Sequence, residues 1–358
     1  MSVKPFEQDE LEVLGTYPVV ESDFMTIPGV FQTKLNTPIT PKENWRRFFN
    51  REDPLWVPDG TYDFNFLSPA VIPDNQACSF EGGYDSFGVK WIPDSNPSLP
   101  AFVEPGFTLI DDISDWEDLE WPDAESWAWD EAKDEYKVLD PSRPNTVFLA
   151  TGLFERLISV MGFENAAVSF LLDPDSTHAF IDKLVDHNLA VIEHLRNDLN
   201  CDLLIFSDDW GSQKAPFFSK AIVEEFLAPA MEKMVKRTHE LGMYFMHHCC
   251  GNVIDFIPYM IDEGVDSWEF NHGAVKKYLP DAFEKYGDKI RFDGYFGFLN
   301  PLPADEEIFK ARTNDYYQTY GTTGKCSVTI YDYNEWDFDS RAYCYEVARK
   351  TYAGQALE

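Results

Sequence analysis

From about residue 145 the chain alternates short apolar runs with amphipathic stretches. "TVFLATG" reads as a buried strand, and a helix follows from near Pro174 with Phe180, Leu184, Val185, Val191 and Leu195 at helical spacing. "CDLLIFSDD" is a strand that ends in polar residues. A helix over 219–241 turns Ile222, Val223, Phe226, Leu227 and Met234 toward a core, and Gly242 ends it. The same rhythm continues through "MYFMHH" (strand), "VIDFIPYMIDEG" (helix), "VDSWEF" (strand), "LPDAFEKYG" (helix) and "IRFDGYF" (strand). It closes with "DEEIFKARTNDYYQTYG" (helix), "CSVTIY" (strand) and a helix over about 338–353. Strand–helix alternation at this spacing predicts a parallel sheet. With so many units in one chain, an α/β (β/α)8 TIM barrel is the economical closure, and a doubly wound sheet is the runner-up. Neither a GxGxxG fingerprint nor a P-loop is present, which argues against nucleotide-based alternatives.

Upstream the pattern is less regular. Residues 1–40 read as an N-terminal arm and 41–358 as a single barrel domain. "TPKENWRRFFN" is a helix start, with Thr40 as N-cap, Pro41 in the first position and Glu43 three residues after the cap. Residues 54–145 are loop-rich and hold the acidic stretch "DDISDWEDLEWPDAESWAWDEAKDEY". Its Trp116, Trp121, Trp127 and Trp129 make it too aromatic for a disordered tail. The expectation is a Trp-rich cover over one end of the domain.

Charge narrows the partners. The 63 Asp and Glu outweigh 29 Lys and Arg, a formal net charge of −34, and that field repels a phosphate backbone, so no nucleic acid is expected. No apolar run approaches the ~20 residues needed to span a bilayer, so no membrane partner is expected. The opening "MSVKPFEQDELEVLG" lacks the basic start and apolar stretch of a signal peptide, and the chain is read as cytoplasmic.

Barrel chemistry sits at the C-terminal ends of strands. Those ends gather Glu155, Asp208 and Asp209, His248 to Cys250, Glu269 with Asn271 and His272, Tyr295 with Phe296, and the region of Cys326. Six cysteines at irregular spacing suggest metal binding or chemistry more than disulfides. Cys78, Cys201 and Cys344 sit singly among apolar or aromatic neighbours and read as buried thiols. In "MYFMHHCCGNV", side chains alternate, so His248 and Cys250 share one face of the strand while His247 and Cys249 share the other. With a third soft ligand from elsewhere, Cys326 being the candidate, the set matches a catalytic zinc with one open position. On spacing alone, two core thiols and a buried imidazole are the commoner reading.

"SDDWGSQ", "FMHHCCGNVIDFIPYMIDEGVDSWEFN" and "KYGDKIRFDGYFG" resemble the uroporphyrinogen decarboxylase superfamily, and within it the corrinoid-dependent methyltransferases. "TPKENWRRFFNREDPLWVP", "GGYDSFGVKW", "ISDWEDLEWPD" and "GLFERLISVMGFENA" extend the resemblance over roughly 40–350. It implies a (β/α)8 barrel with zinc held by His248, Cys250 and Cys326, Glu269 being a further candidate ligand. It also implies a corrinoid (cobalamin) carried by a separate corrinoid protein. The decarboxylases' Arg-rich loop has no counterpart in "REDPLWVPDGTYDFNF"; Arg46, Arg47 and Arg51 are the nearby arginines.

The expected reaction moves a methyl group from a small methylated substrate to Co(I), zinc acting as the Lewis acid on the methyl-bearing atom. Trp210, Tyr295, Phe296 and the Trp-rich cover suggest aromatic walls and hence a methoxylated aromatic substrate. Asp208 and Glu155 are the expected catalytic carboxylates, with Asp208 preferred over Asp209 for the site. Asp209, Gln213, Asn271 and His272 are further candidate substrate contacts. The alternatives are a coenzyme M-type thiol methyltransferase, a decarboxylase, and a non-catalytic scaffold that binds the corrinoid protein.

Overall fold

A computed structural model describes residues 4–20, 33–96, 99–295, 306–329 and 339–356. Its centre is a parallel sheet of seven strands that follow one another in space as in sequence. They are β1 (Asn65–Leu67), β2 (Asn145–Leu149), β3 (Leu203–Ser207), β4 (Tyr244–Cys249), β5 (Ser267–Asn271), β6 (Arg291–Tyr295) and β7 (Cys326–Thr329). An eighth position is taken by the backbone at Pro58–Asp59. Asp59 bridges in parallel to Val328 of β7, and the Val328 N–H donates to the Pro58 carbonyl at 3.0 Å. The first segment of the series is thereby brought back to the last, which gives the sheet the curl of a TIM barrel. Of these elements, the bridge at Asp59 and the three-residue β1 lie in the stretch that reads as loop-rich.

Among the helices are α1 (Pro41–Phe49), α2 (Leu153–Met161), α3 (Phe163–Leu172), α4 (Pro174–Asn197), α5 (Ala228–Glu240), α6 (Ile257–Asp262), α7 (Leu279–Tyr286), α8 (Glu306–Tyr320) and α9 (Ser340–Ala353). Helix α1 starts as its sequence dictates: the Thr40 hydroxyl accepts the Glu43 N–H at 3.1 Å, and Pro41 fills the first position. The Glu43 carboxylate does not return to the cap; it pairs with Arg46 and Arg47.

Two apolar clusters separate inside from outside. The inner one joins Trp45, Phe48 and Phe49 of α1, with Phe64, to Leu203, Ile205 and Met246, whose side chains point into the barrel. Phe49 stacks on Tyr244, the first residue of β4, at 4.4 Å, so α1 plugs the end where the strands begin. The second, larger cluster fills the layer between strands and helices.

The Trp-rich stretch lies elsewhere than expected. Trp121 packs on Phe180, Trp127 on His187, and Trp129 stacks on His194 at 4.5 Å, all three partners on α4. The stretch therefore covers the flank of α4 and does not roof the barrel mouth. Its indoles find their apolar partner in a helix side, and its carboxylates remain in water.

The arm is not a separate body. The Glu10 carboxylate accepts from Tyr345 Oη at 2.7 Å and from Arg349 Nε at 3.0 Å. The Phe6 N–H donates to the Gln355 side chain at 2.6 Å. Among the described residues no helix is long and apolar enough to cross a membrane.

Candidate metal centre

Parallel register lines up Ser207, His248, Glu269, Asp293 and Ser327 across β3 to β7. Because side chains alternate along a strand, the phase that sends Met246 inward also sends His248, one pleat nearer the mouth. The interior thus changes from apolar to polar along its axis.

His248 is the hub. Its Nδ1 hydrogen-bonds the buried Glu269 carboxylate, and its Nε2 lies 3.2 Å from Cys250 Sγ. The edge of Phe148 meets the imidazole with ring centroids 5.4 Å apart. The Cys250 N–H donates to Asp209 Oδ1 at 2.6 Å, which fixes that carboxylate beside the pair. Ligand atoms of Asp209, His248 and Cys250 all fall within 4.8 Å of one another.

The electrostatics are those of a crowded, dry site. Burial works against a charged imidazole, but Cys250 and Glu269 outweigh it and push His248 well above its usual range. Burial raises Cys250 and Asp209 as well. Glu155 is pushed up to about 8, first by burial and then by Asp209 and Asp208. It is the third residue of α2, and its carboxyl is met by the Gly152 N–H at 3.4 Å and Ser207 Oγ at 3.3 Å. Asp293 rises well above the carboxylate range through burial and the Glu269 charge.

The donor set fits a zinc-type ion: one imidazole nitrogen, one thiol sulfur and one carboxylate converge, and three protein ligands leave a position open. A carboxylate on Nδ1 fixes the ring and reserves Nε2 for a ligand bond. Glu269 Oε1 is buried with no hydrogen-bond partner. Glu269 is not among the three residues whose donor atoms converge, and through His248 Nδ1 it stands behind the ring.

Several expected site residues are placed differently. Cys326 opens β7, where it pairs with Phe292, on the phase opposite to Ser327. It is buried against the helix layer, bonded to the side chains of Tyr316 and Thr323, and burial pushes its thiol up to about 12. Alternation thus turns it away from the cluster, where Asp209 is the third candidate donor. Asp208, expected as a catalytic carboxylate, and Asp209, expected as a substrate contact, are also placed differently. The Asp208 carboxylate accepts the N–H groups of Phe154 (2.9 Å) and Glu155 (3.0 Å) and Trp210 Nε1 (2.6 Å), so it caps α2. Trp210 is fully buried on the helix side, edge-on to His247 at 4.6 Å, and does not line the mouth.

Asn271 accepts the Gly273 N–H at 2.9 Å and caps the short turn after β5. His272 packs against Tyr316 and Tyr320, and burial lowers its pKa to about 4. Gln213 is exposed on the loop between the bridged residues Gly211 and Pro216. Tyr295 ends β6 in register with Asn271 and Thr329, and Phe296 lies outside the described residues. Arg46 pairs with Glu43 and Glu52, and Arg51 bonds the Asp288 and Lys289 carbonyls, all at the plugged end. None of these three arginines faces the mouth, where a polycarboxylate would enter.

Sequence reading missed the orienting role of Glu269 and the membership of Phe148 and Ser207 in the site. The signal was present: once His248 is taken as inward, the run "DSWEF" one strand on must place its Glu in the same layer.

Comparison with known proteins gives the family and the fold. The family model described as uroporphyrinogen decarboxylase (URO-D) matches residues 93–316. A curated relative from Methanosarcina mazei, methylated-thiol–coenzyme M methyltransferase, is 24% identical over 231 residues. That match covers 60% of this chain and 59% of the relative, so the chain spans less than two thirds of the relative's length. A solved methyltransferase from Methanosarcina mazei superposes with a TM-score of 0.61 at 13% identity, covering 87% of this chain and 98% of that one, and so shares its fold. The chain, with its curled parallel sheet and its polar layer at the strand ends, belongs to the uroporphyrinogen decarboxylase (URO-D) family.

Proposed function

We propose that this protein is a zinc-dependent methyltransferase that moves a methyl group between a small substrate and the cobalt of a corrinoid held by a separate protein. The observation that carries the reading is the convergence of Asp209, His248 and Cys250 at the strand ends. Zinc bound there supplies a Lewis acid for a sulfur or oxygen atom of the substrate. The chain's own residues prepare that place. Glu269 holds the His248 ring so that Nε2 presents its lone pair, and Asp209 is fixed by the Cys250 N–H. Glu155, pushed up by burial and by Asp209 and Asp208, is the carboxyl placed to hold or release a proton near Asp209.

A methylated thiol or a free thiol is the favoured substrate class, since soft sulfur suits a zinc site and the curated relative is named for such a substrate. A methyl ether of an aromatic compound is the second reading, favoured by the Phe148 ring beside His248. Its other expected supports, Trp210 and the Trp-rich stretch, lie on the outside of the barrel.

The test is metal content after anaerobic purification. The parent and Cys326→Ala should carry about one zinc per chain, whereas Cys250→Ala and Asp209→Ala should lose it. A metal-free parent that also resists zinc loading would sink the proposal; loss of zinc in Cys326→Ala alone would return the third ligand to that cysteine.

A further inference from the structure

Helix α3, "FENAAVSFLL", has an apolar face too many. Ala166, Ser169 and Phe170 face the core, yet the opposite side carries Phe163, Val168, Leu171 and Leu172, with Leu171 73% and Leu172 78% exposed. Glu164 and Asn165 are exposed in the first turn, so the apolar ridge is the second half of this face, Val168, Leu171 and Leu172; single exposed leucines are common where a contiguous group of this kind is not. The N-terminal end of the helix lies at the mouth end of the barrel. The Phe163 ring lies 5.2 Å from Phe217, itself partly exposed on the loop that leaves the end of β3.

One flank of the ridge is acidic. The turn Ile113–Asp118 packs against α3 and α4, and the backbone at Leu109 is tied to α2 by its N–H donating to the Val160 carbonyl at 2.7 Å. Asp111, Asp112, Asp115, Glu117 and Asp118 are exposed along this edge, and none forms an ion pair with a described residue. An apolar ridge with an unneutralised acidic border calls for a partner of the opposite rim charge. A second copy fits poorly: it brings the same acidic border, in a chain with 63 acidic and 29 basic residues. An anionic lipid surface is repelled for the same reason.

We infer that the outer face of α3 is a docking surface for a separate protein that presents an amphipathic helix with an apolar stripe and Lys/Arg flanks, seated beside the barrel mouth. This stands independently of the methyl-transfer reading, because it uses none of the residues of the metal centre.

The probes are two synthetic 18-residue helices with one leucine stripe, flanked by lysine in one and by glutamate in the other, titrated by fluorescence anisotropy against the full chain. The lysine peptide should bind and the glutamate peptide should not. Leu171→Ser with Leu172→Ser should weaken binding by about tenfold or more, since two exposed leucines lose their burial. Asp115→Lys with Glu117→Lys should weaken it as well, which keeps the test valid if the leucine variant folds poorly by circular dichroism. Equal binding of the lysine peptide to the serine variant would show charge attraction alone and overturn the inference, as would no binding of either peptide. Sedimentation velocity is the remaining arm: a dimer that Leu172→Ser converts to monomer would assign the face to a second copy and likewise overturn it.

Discussion

The two ends of the barrel interior obey one rule and do opposite jobs. Along β4 every second residue points inward, so Tyr244, Met246 and His248 form successive steps of one column. At the lower step the column meets Trp45, Phe48 and Phe49 of α1 and is sealed by apolar contact. At the upper step it meets Glu269, Asp209 and Cys250, and burial there raises the cost of every charge. The plug is built for apolar packing, and the polar layer is where the proposed chemistry lies. A change at one end should therefore leave the other largely untouched.

The plug gives the largest expected break in that contrast. Trp45→Ala removes a fully buried indole that contacts Phe48, Phe49 and Phe64, and should cost about 3–5 kcal/mol in urea unfolding. Zinc stoichiometry of the protein that remains folded should be unchanged. If zinc were lost in parallel, the two ends would not be separable.

The reverse experiment acts on the polar layer. Glu269→Gln keeps the shape but weakens the acceptor on His248 Nδ1, and should reduce zinc affinity about 10–100-fold in a chelator competition. Its melting temperature without metal should fall only slightly, because the glutamine amide oxygen still accepts from His248 Nδ1 and Glu269 Oε1 has no partner to lose. A marked drop in melting temperature with unchanged zinc affinity would make Glu269 a structural residue. Smallest is Thr40→Ala, which removes the cap of the plug helix and should cost about 1 kcal/mol by thermal melting, with zinc affinity unaltered.

Much of this contrast is legible in the chain before any coordinates. Five-residue strands such as "LLIFS" carry enough apolar signal to stand out, and the His-x-Cys spacing of 248 and 250 is a direct reading of strand alternation. The short elements were not legible. β1 has three residues and Asp59 contributes one bridge, too little pattern to rise above a Pro-rich surrounding. Cys326 misled for a different reason. It opens its strand, so the rule that chemistry collects at strand ends already spoke against it. Asp208 and Asp209 show the limit of one-dimensional reading: adjacent residues leaving a strand take opposite sides, and only the cap on α2 reveals which one faces the cluster.

The clasp between Glu10 and Arg349 has a consequence for how the molecule is made. The two partners are 339 residues apart. At synthesis rates of 5–20 residues per second, Glu10 waits roughly 20–70 s for Arg349 to be joined to the chain. Asp59 waits similarly for Val328. Residues around Glu10 and Asp59 are thus made long before the partners that secure them, and the ring closes only once Val328 has been delivered.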